Sequence, residues 1–381
     1  MLHDGYTDLI WVALPIWQAE FGLSYAAAGA LRTIFTGIMA ILQIPSSIAA
    51  ERIGGGIVLA LGTALCGLCY CLAGFSSGFW WLVAALLLGG IGAATQHPIG
   101  SALVAHAYAG PRSLKALGAY NFAGDVGKVL LPASASALIL VMPWRPAYGL
   151  LGLIGIAAAA AIFLLTPRFA PEAAPTEATS AGTAAEAGEA AAQTGRMRSG
   201  FRALVALGIV DGLTRGGFFV LLPFLLTGKG AHVSTAGFAL TFMFVGGAAG
   251  KLACGWFATR FGKVFTIALS KTLTAGGMIA VMLLPLEFAF VLLPFLGIML
   301  NGVTTVTYGS VPDLVTPQQR TRAFSVFYTV TLGALAIAPP ASGLVGDLIG
   351  IPGAVIVVSV LTVATIPLAF LLGSQLDRSN A

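Results

Sequence analysis

Asp4-Gly5-Tyr6-Thr7, followed by Leu14-Pro15, is met again as Asp211-Gly212-Leu213-Thr214, followed by Leu222-Pro223. Ala28-Gly29 returns as Ala236-Gly237, and Arg52-Ile53-Gly54 as Arg260-Phe261-Gly262, always at an offset of 207 or 208. The chain is therefore two copies of one design. The copies disagree at one position that matters: Asp8 in the first is Arg215 in the second. A duplicated apolar chain with opposite charges at matching depths points to a site between two halves.

Apolar residues make up 58% of the chain and charged ones 9%, with a mean hydropathy of +0.94. A soluble chain carries charge on about a quarter of its positions, so the solvent for most of this one is lipid. The apolar runs are long and unbroken, which indicates helices and excludes the ten-residue alternation of a barrel. Windows of about 20 residues place spans near 2–20, 26–48, 56–75, 80–105, 115–141 and 147–167, then near 201–227, 234–256, 264–285, 288–309, 320–346 and 352–373. The expected fold is an all-α integral membrane protein of twelve helices. Six spans per copy is an even number, so both copies enter the bilayer the same way and form a parallel repeat.

Basic residues set the orientation. With both termini in the cytoplasm, inside segments hold Arg52, Arg112, Lys115, Arg168, Arg196, Arg198, Arg202, Arg260, Lys263, Arg320, Arg322 and Arg378, and outside segments only Arg145 and Lys229. The reading is a multi-pass protein of the cell's inner (plasma) membrane. Trp17, Trp80, Trp81 and Trp144 fall at outer span ends, where an interfacial aromatic belt is expected. The net charge of +5 is spread singly over span ends, which argues against nucleic acid as a partner.

The expected domains are a first six-helix half over 1–167, a linker over 168–200 and a second half over 201–381. The linker is rich in Ala, Glu, Gly and Thr and has almost no large apolar side chain, so it reads as flexible and cytoplasmic. The unbroken apolar stretch Leu9–Ala19 covers about 17 Å at 1.5 Å per residue, so the first span reads as short of its cytoplasmic end. It has neither the basic start nor the cleavage site of a signal peptide. Cys66, Cys69, Cys71 and Cys254 lie inside spans and read as small packing residues, with no fourth metal ligand at their depth.

Charges inside a bilayer are costly, so each is a candidate for function. Arg215 sits about 14 residues into its span and about 12 from the far end, and Asp8 lies at similar depth. Arg215 offers a fork for an anionic group and Asp8 a proton-titratable partner; the bland alternative is a static salt bridge. Asp125 and Lys128, three apart on the fifth span, share one face. Either the acid's protonation releases the lysine to a substrate, or the pair neutralises itself for packing. Arg32 lies near the outer mouth of any cavity, to attract anions or to snorkel. Lys251 and Lys271 read as nearer the cytoplasmic side and within snorkelling reach. His97, before Pro98, is a candidate proton shuttle, and the proline loosens the helix one turn earlier. Gln43, Tyr120 and Asn121 complete the candidate substrate ligands. Asp4 and Asp211, at equivalent places, read as gate or capping residues.

The segments Ser47-Ile48-Ala49-Ala50-Glu51-Arg52-Ile53-Gly54 and Gly255-Trp256-Phe257-Ala258-Thr259-Arg260-Phe261-Gly262-Lys263 resemble the Gly-x-Leu-Ala-Asp-Arg-x-Gly-Arg/Lys loop of the major facilitator superfamily. In that family the loop follows the second and eighth helices, and its acid and arginine engage neighbouring helix ends. The resemblance implies conformational roles for Glu51, Arg52 and Arg260, and it implies the major facilitator fold. The first copy has Gly55-Gly56 where basic residues are usual, and the second has Thr259 for the acid. Pro15-Ile16-Trp17-Gln18-Ala19-Glu20-Phe21, with Asp8, Gln43 and His97-Pro98, further resembles the fosmidomycin-resistance branch, which are proton-driven drug exporters. Here Leu131-Pro132 replaces that branch's fifth-helix Gly-Pro, and the Asp125/Lys128 pair departs from its pattern.

The expected function is secondary transport by alternating access, powered by a proton gradient and without a bound cofactor. Arg32, Lys128 and Arg215 favour a small anionic or zwitterionic substrate. The leading version is proton antiport exporting a drug or toxic metabolite, and the alternative is proton symport importing an organic acid. A sensor or partner protein of transporter shape is the further alternative. An enzyme is disfavoured, since no His-Glu-x-x-His or phosphate loop occurs and histidines are too scattered for a metal centre. The expected state is a monomer in the lipid bilayer.

Overall fold

The computed structural model describes residues 1–107, 111–165, 187–315 and 320–376. They form α1 (Leu2–Phe21), α2 (Tyr25–Ile53), α3 (Gly55–Gly74), α4 (Phe79–Ala93), α5 (Gln96–Ala107), α6 (Pro111–Val141), α7 (Trp144–Leu165), α8 (Ala187–Gly228), α9 (Val233–Phe261), α10 (Lys263–Leu283), α11 (Leu286–Tyr308), a 3₁₀ turn at Val311–Leu314, α12 (Arg320–Val363) and α13 (Thr365–Leu376). Ten stretches are long and apolar enough to cross a bilayer. The last of them, Val326–Gly373, holds two spans, and α1 completes the twelve. Helices α4 and α5 together make the fourth span. The architecture is the twelve-span parallel repeat expected from the sequence.

Local chemistry explains the breaks. Pro98 has no N–H to offer the carbonyl of Ala94, so the ladder opens there between α4 and α5. Ser46 of α2 donates its hydroxyl to that freed carbonyl at 3.0 Å. Gly350, at φ 79°, splits α12 into the eleventh span and the start of the twelfth. Gly54 (φ 98°) and Gly262 (φ 87°) turn the chain sharply from α2 to α3 and from α9 to α10, a conformation L side chains disfavour.

Close packing uses small residues. A Cβ on Gly67 of α3 would collide with the carbonyl oxygen of Gly152 of α7, and one on Gly152 with that of Gly67. The two backbones therefore touch, as small residues allow between membrane helices. Helix α1 is buried at nearly every position from His3 to Trp17. Two compact units result. The first holds the N-terminal six spans with Phe219–Phe244 and Pro339–Pro352; the second holds the rest of the C-terminal half.

Three sequence expectations need correcting. Residues 187–200, read as linker, belong to α8; their Ala, Glu, Gln, Met and Arg content favours helix over coil. Trp17 is 0% exposed and packs on Tyr148, whereas Trp80 at 79% exposure faces outward. Trp17 thus belongs to the core rather than to an aromatic belt. Lys271 does not snorkel; it is 0% exposed. Of the basic residues used for orientation, Arg168 and Arg378 lie outside the described residues, as do the side chains of Arg112, Lys115, Arg196, Arg198, Arg320 and Arg322.

Candidate functional site

In the first unit the polar residues gather on α1. Arg32 of α2 is 6% exposed, and its Nη2 lies 3.4 Å from Asp8 Oδ1. Its Nη1 donates to the carbonyl oxygen of Thr7, and its guanidinium lies 4.6 Å from the Trp11 ring centroid. Trp11 Nε1 donates to the same Asp8 Oδ1 at 3.1 Å. Arg32 therefore neither snorkels nor stands open at a mouth. Asp8 lies within reach of α2, and the arginine turns inward to it.

One turn earlier Asp4 meets α5. His97 Nε2 is 3.5 Å from Asp4 Oδ1, and Gln96 Nε2 donates to Asp4 Oδ2 at 3.3 Å. Tyr120 of α6 donates to the carbonyl of Gln96 at 3.2 Å. His3 Nε2 lies 2.7 Å from Thr63 Oγ1 of α3. Asp125 and Lys128 pair on α6 at 3.6 Å. Gln43 Nε2 is buried with no hydrogen-bond partner among the described residues, and Asn121 is exposed. The structure thus brings Asp4, His97, Gln96 and Tyr120 together, and Asp8 with Arg32.

The second unit has its own cluster. Asp211 of α8 and Lys271 of α10 form an ion pair with both side chains buried. Arg215, one turn along α8, donates from Nη1 to Thr304 Oγ1 of α11 at 3.1 Å. Its Nε is buried and unpartnered among the described residues, as is the Thr274 hydroxyl one turn from Lys271. The repeat organises these contacts. Asp4 corresponds to Asp211, Gln96 to Thr304 and Thr63 to Lys271 at offsets of 207 or 208. In both copies the fourth or tenth span thus reaches a charge on the first or seventh.

Asp4, Asp8 and Asp125 lie with Arg32 and Lys128, and the amine of Met1 stands in the field of Asp4 and Lys128. In the second unit Lys271 holds Asp211, while Arg215 bonds a neutral threonine. Among the loop residues, Glu51, Arg52 and Arg260 are exposed at the ends of α2 and α9. The second loop is tied instead by Lys263, which pairs with Asp313 of the 3₁₀ turn and donates to the carbonyl of Gly309 at 2.9 Å. Asp313 and Lys271 are the polar residues missed from sequence. Asp313 carries a visible signal, an acid in a short connection facing a basic loop. Lys271 carries none, because its partner lies 60 residues away.

The profile of the Major Facilitator Superfamily matches residues 1–210 and again 204–380. The chain belongs to this superfamily. Each half of this facilitator satisfies the family pattern on its own, as the internal repeat requires. A Probable L-galactonate transporter of Escherichia coli (strain K12) is 28% identical over 148 residues. That match covers 39% of this chain and spans only 33% of the relative's length. Among solved structures, a bacterial homolog of the human lysosomal transporter Spinster, in an inward-facing and occupied conformation, superposes with a TM-score of 0.80 at 17% identity, covering 99% of this chain and 95% of that one. The nucleoside transporter NupG (D323A mutant) gives a TM-score of 0.73 at 14% identity, covering 98% and 100%. Identities this low speak for the fold alone.

Proposed function

We propose that this facilitator carries a small organic anion of the hydroxylated carboxylate class, coupled to protons, by alternating access. The observation that carries the reading is Arg215, a half-buried guanidinium whose only hydrogen-bonding partner among the described residues is a neutral threonine and whose Nε is unpartnered. A carboxylate is the natural complement of that fork. The partial relative named as a galactonate transporter supports the same class.

Symport of an anion with a proton is the version we favour: the anion offsets the Arg215 guanidinium, which bonds a neutral threonine, and burying a neutralised charge costs less than burying a lone one. His97 and Asp4 are the proposed proton site, with Arg32 and Asp8 as a fixed pair that shapes α1. The two halves work as a monomer in the inner membrane, with the termini cytoplasmic. Export of a drug by proton antiport is the second reading, favoured by the Pro15–Phe21 resemblance.

Proteoliposomes under an imposed pH gradient test this. Galactonate and related sugar acids are expected to accumulate on the alkaline side and to leak out when a protonophore is added. Arg215→Ala is expected to lower that flux about tenfold or more, since hydrogen bonds to charged groups contribute about 1.5–3 kcal/mol. Full flux in the variant, or no gradient-driven flux of any anion, overturns the proposal. Drug counterflow without anion flux would establish the antiport reading.

A further inference from the structure

The start of α2 is capped by a residue far away in sequence. Ser24, the N-cap, accepts from the Ala27 amide at 3.1 Å. That leaves the Tyr25 and Ala26 amides, two of the donors every helix start leaves open. Both go to one carboxylate near the end of the eleventh span. Tyr25 N–H donates to Asp347 Oδ1 at 2.8 Å and Ala26 N–H to Asp347 Oδ2 at 3.0 Å. The negative charge also sits at the positive end of the α2 dipole.

The backbones of α2 and α12 approach closely enough for this because of two glycines. A Cβ on Gly29 would collide with the Pro339 carbonyl oxygen, and one on Gly343 with the Tyr25 carbonyl oxygen. The repeat places the same apparatus once more between α9 and α6. Gly237 corresponds to Gly29 and Pro132 to Pro340, each at an offset of 208. Gly237 is again pressed on its partner helix, against Ser136. The carboxylate is not repeated, for Ile139 stands at the position matching Asp347. There the structure has a cleft of about 430 Å³ lined by Ile16, Ile139, Met142, Trp144 and His232. One contact is packed and bonded; its mirror image is packed only.

We propose that Asp347 is a latch that selectively stabilises the transport-cycle state in which α2 and the end of α12 are together. Asp347 belongs to the second repeat and α2 to the first, so the two amide bonds exist only while these ends touch. Ser24 lies next to α2 in sequence and caps it in every state. The latch rests on alternating access but not on the substrate or the coupling ion, and its test needs neither.

Spin labels at Ser77, in the turn after α3, and at Leu283, the last residue of α10, both on the same side of the membrane as Asp347 by span counting, read opening of that end by pulsed electron resonance. The four native cysteines are replaced beforehand. Asp347→Ala is expected to raise the ratio of long to short distances roughly two- to thirtyfold, the range set by loss of a helix cap. Asp347→Asn keeps one acceptor and is expected to fall between the two, which covers the case of an alanine variant that does not fold. Ser24→Ala is expected to lower the melting temperature without moving the ratio. An unchanged ratio in folded Asp347→Ala or Asp347→Asn, or an equal shift in Ser24→Ala, overturns the latch.

Discussion

Removing one member of the Asp211–Lys271 pair strands the other inside the second unit. A buried charge left without its partner costs about 3–5 kcal/mol, whereas replacing both members by apolar groups of similar size is often neutral. Asp211→Asn is therefore expected to melt well below the parent protein in detergent. The double variant Asp211→Leu/Lys271→Met should return most of the loss. Equal melting of the single variant and the parent would mean that water reaches Lys271. The reason this pair was not legible in sequence is geometric. Counting residues along a span gives depth, but it gives neither the face of the helix nor the identity of the helix opposite. Arg32 shows the same limit: its depth suggested a mouth, while the proximity of α1 and α2 gives it Asp8.

Glycines mark two kinds of helix contact, and the difference is open to test. Gly67 and Gly152 join α3 to α7 within one repeat. A valine at Gly67 has nowhere to go, so the whole first half is expected to lose stability by about 1–3 kcal/mol or more, read as a lower melting temperature and yield. Gly29 joins helices of different repeats. Gly29→Val is expected to fold normally and to shift the Ser77–Leu283 distances the same way as Asp347→Ala, because the helices can part. Several elements were legible beforehand. Pro98 pointed to a loosened helix where α4 gives way to α5, and the span limits near 346 and 352 bracket the kink at Gly350. The start of α8 was not, since the helix-favouring composition of 187–200 is overshadowed by its lack of apolar side chains.

At the scale of the molecule, duplication carries the fold. The spans, their number and their parallel relation follow from hydropathy and the 207–208 offset, and the two separate family matches agree with them. A chain cut after Gly182 and expressed as two fragments is therefore expected to reassemble, with a tag on one fragment recovering the other; failure to co-purify would show that the covalent connection is required. Helix α1 is the exception to the hydropathy rule. It is absent from the stretches apolar enough to cross a bilayer alone, yet it is buried almost throughout and its acids find partners on α2 and α5. Bare lipid is a poor host for two carboxylates. Membrane residence of α1 is therefore a collective property: Arg32 and His97, on other helices, are what let its acids stay out of water.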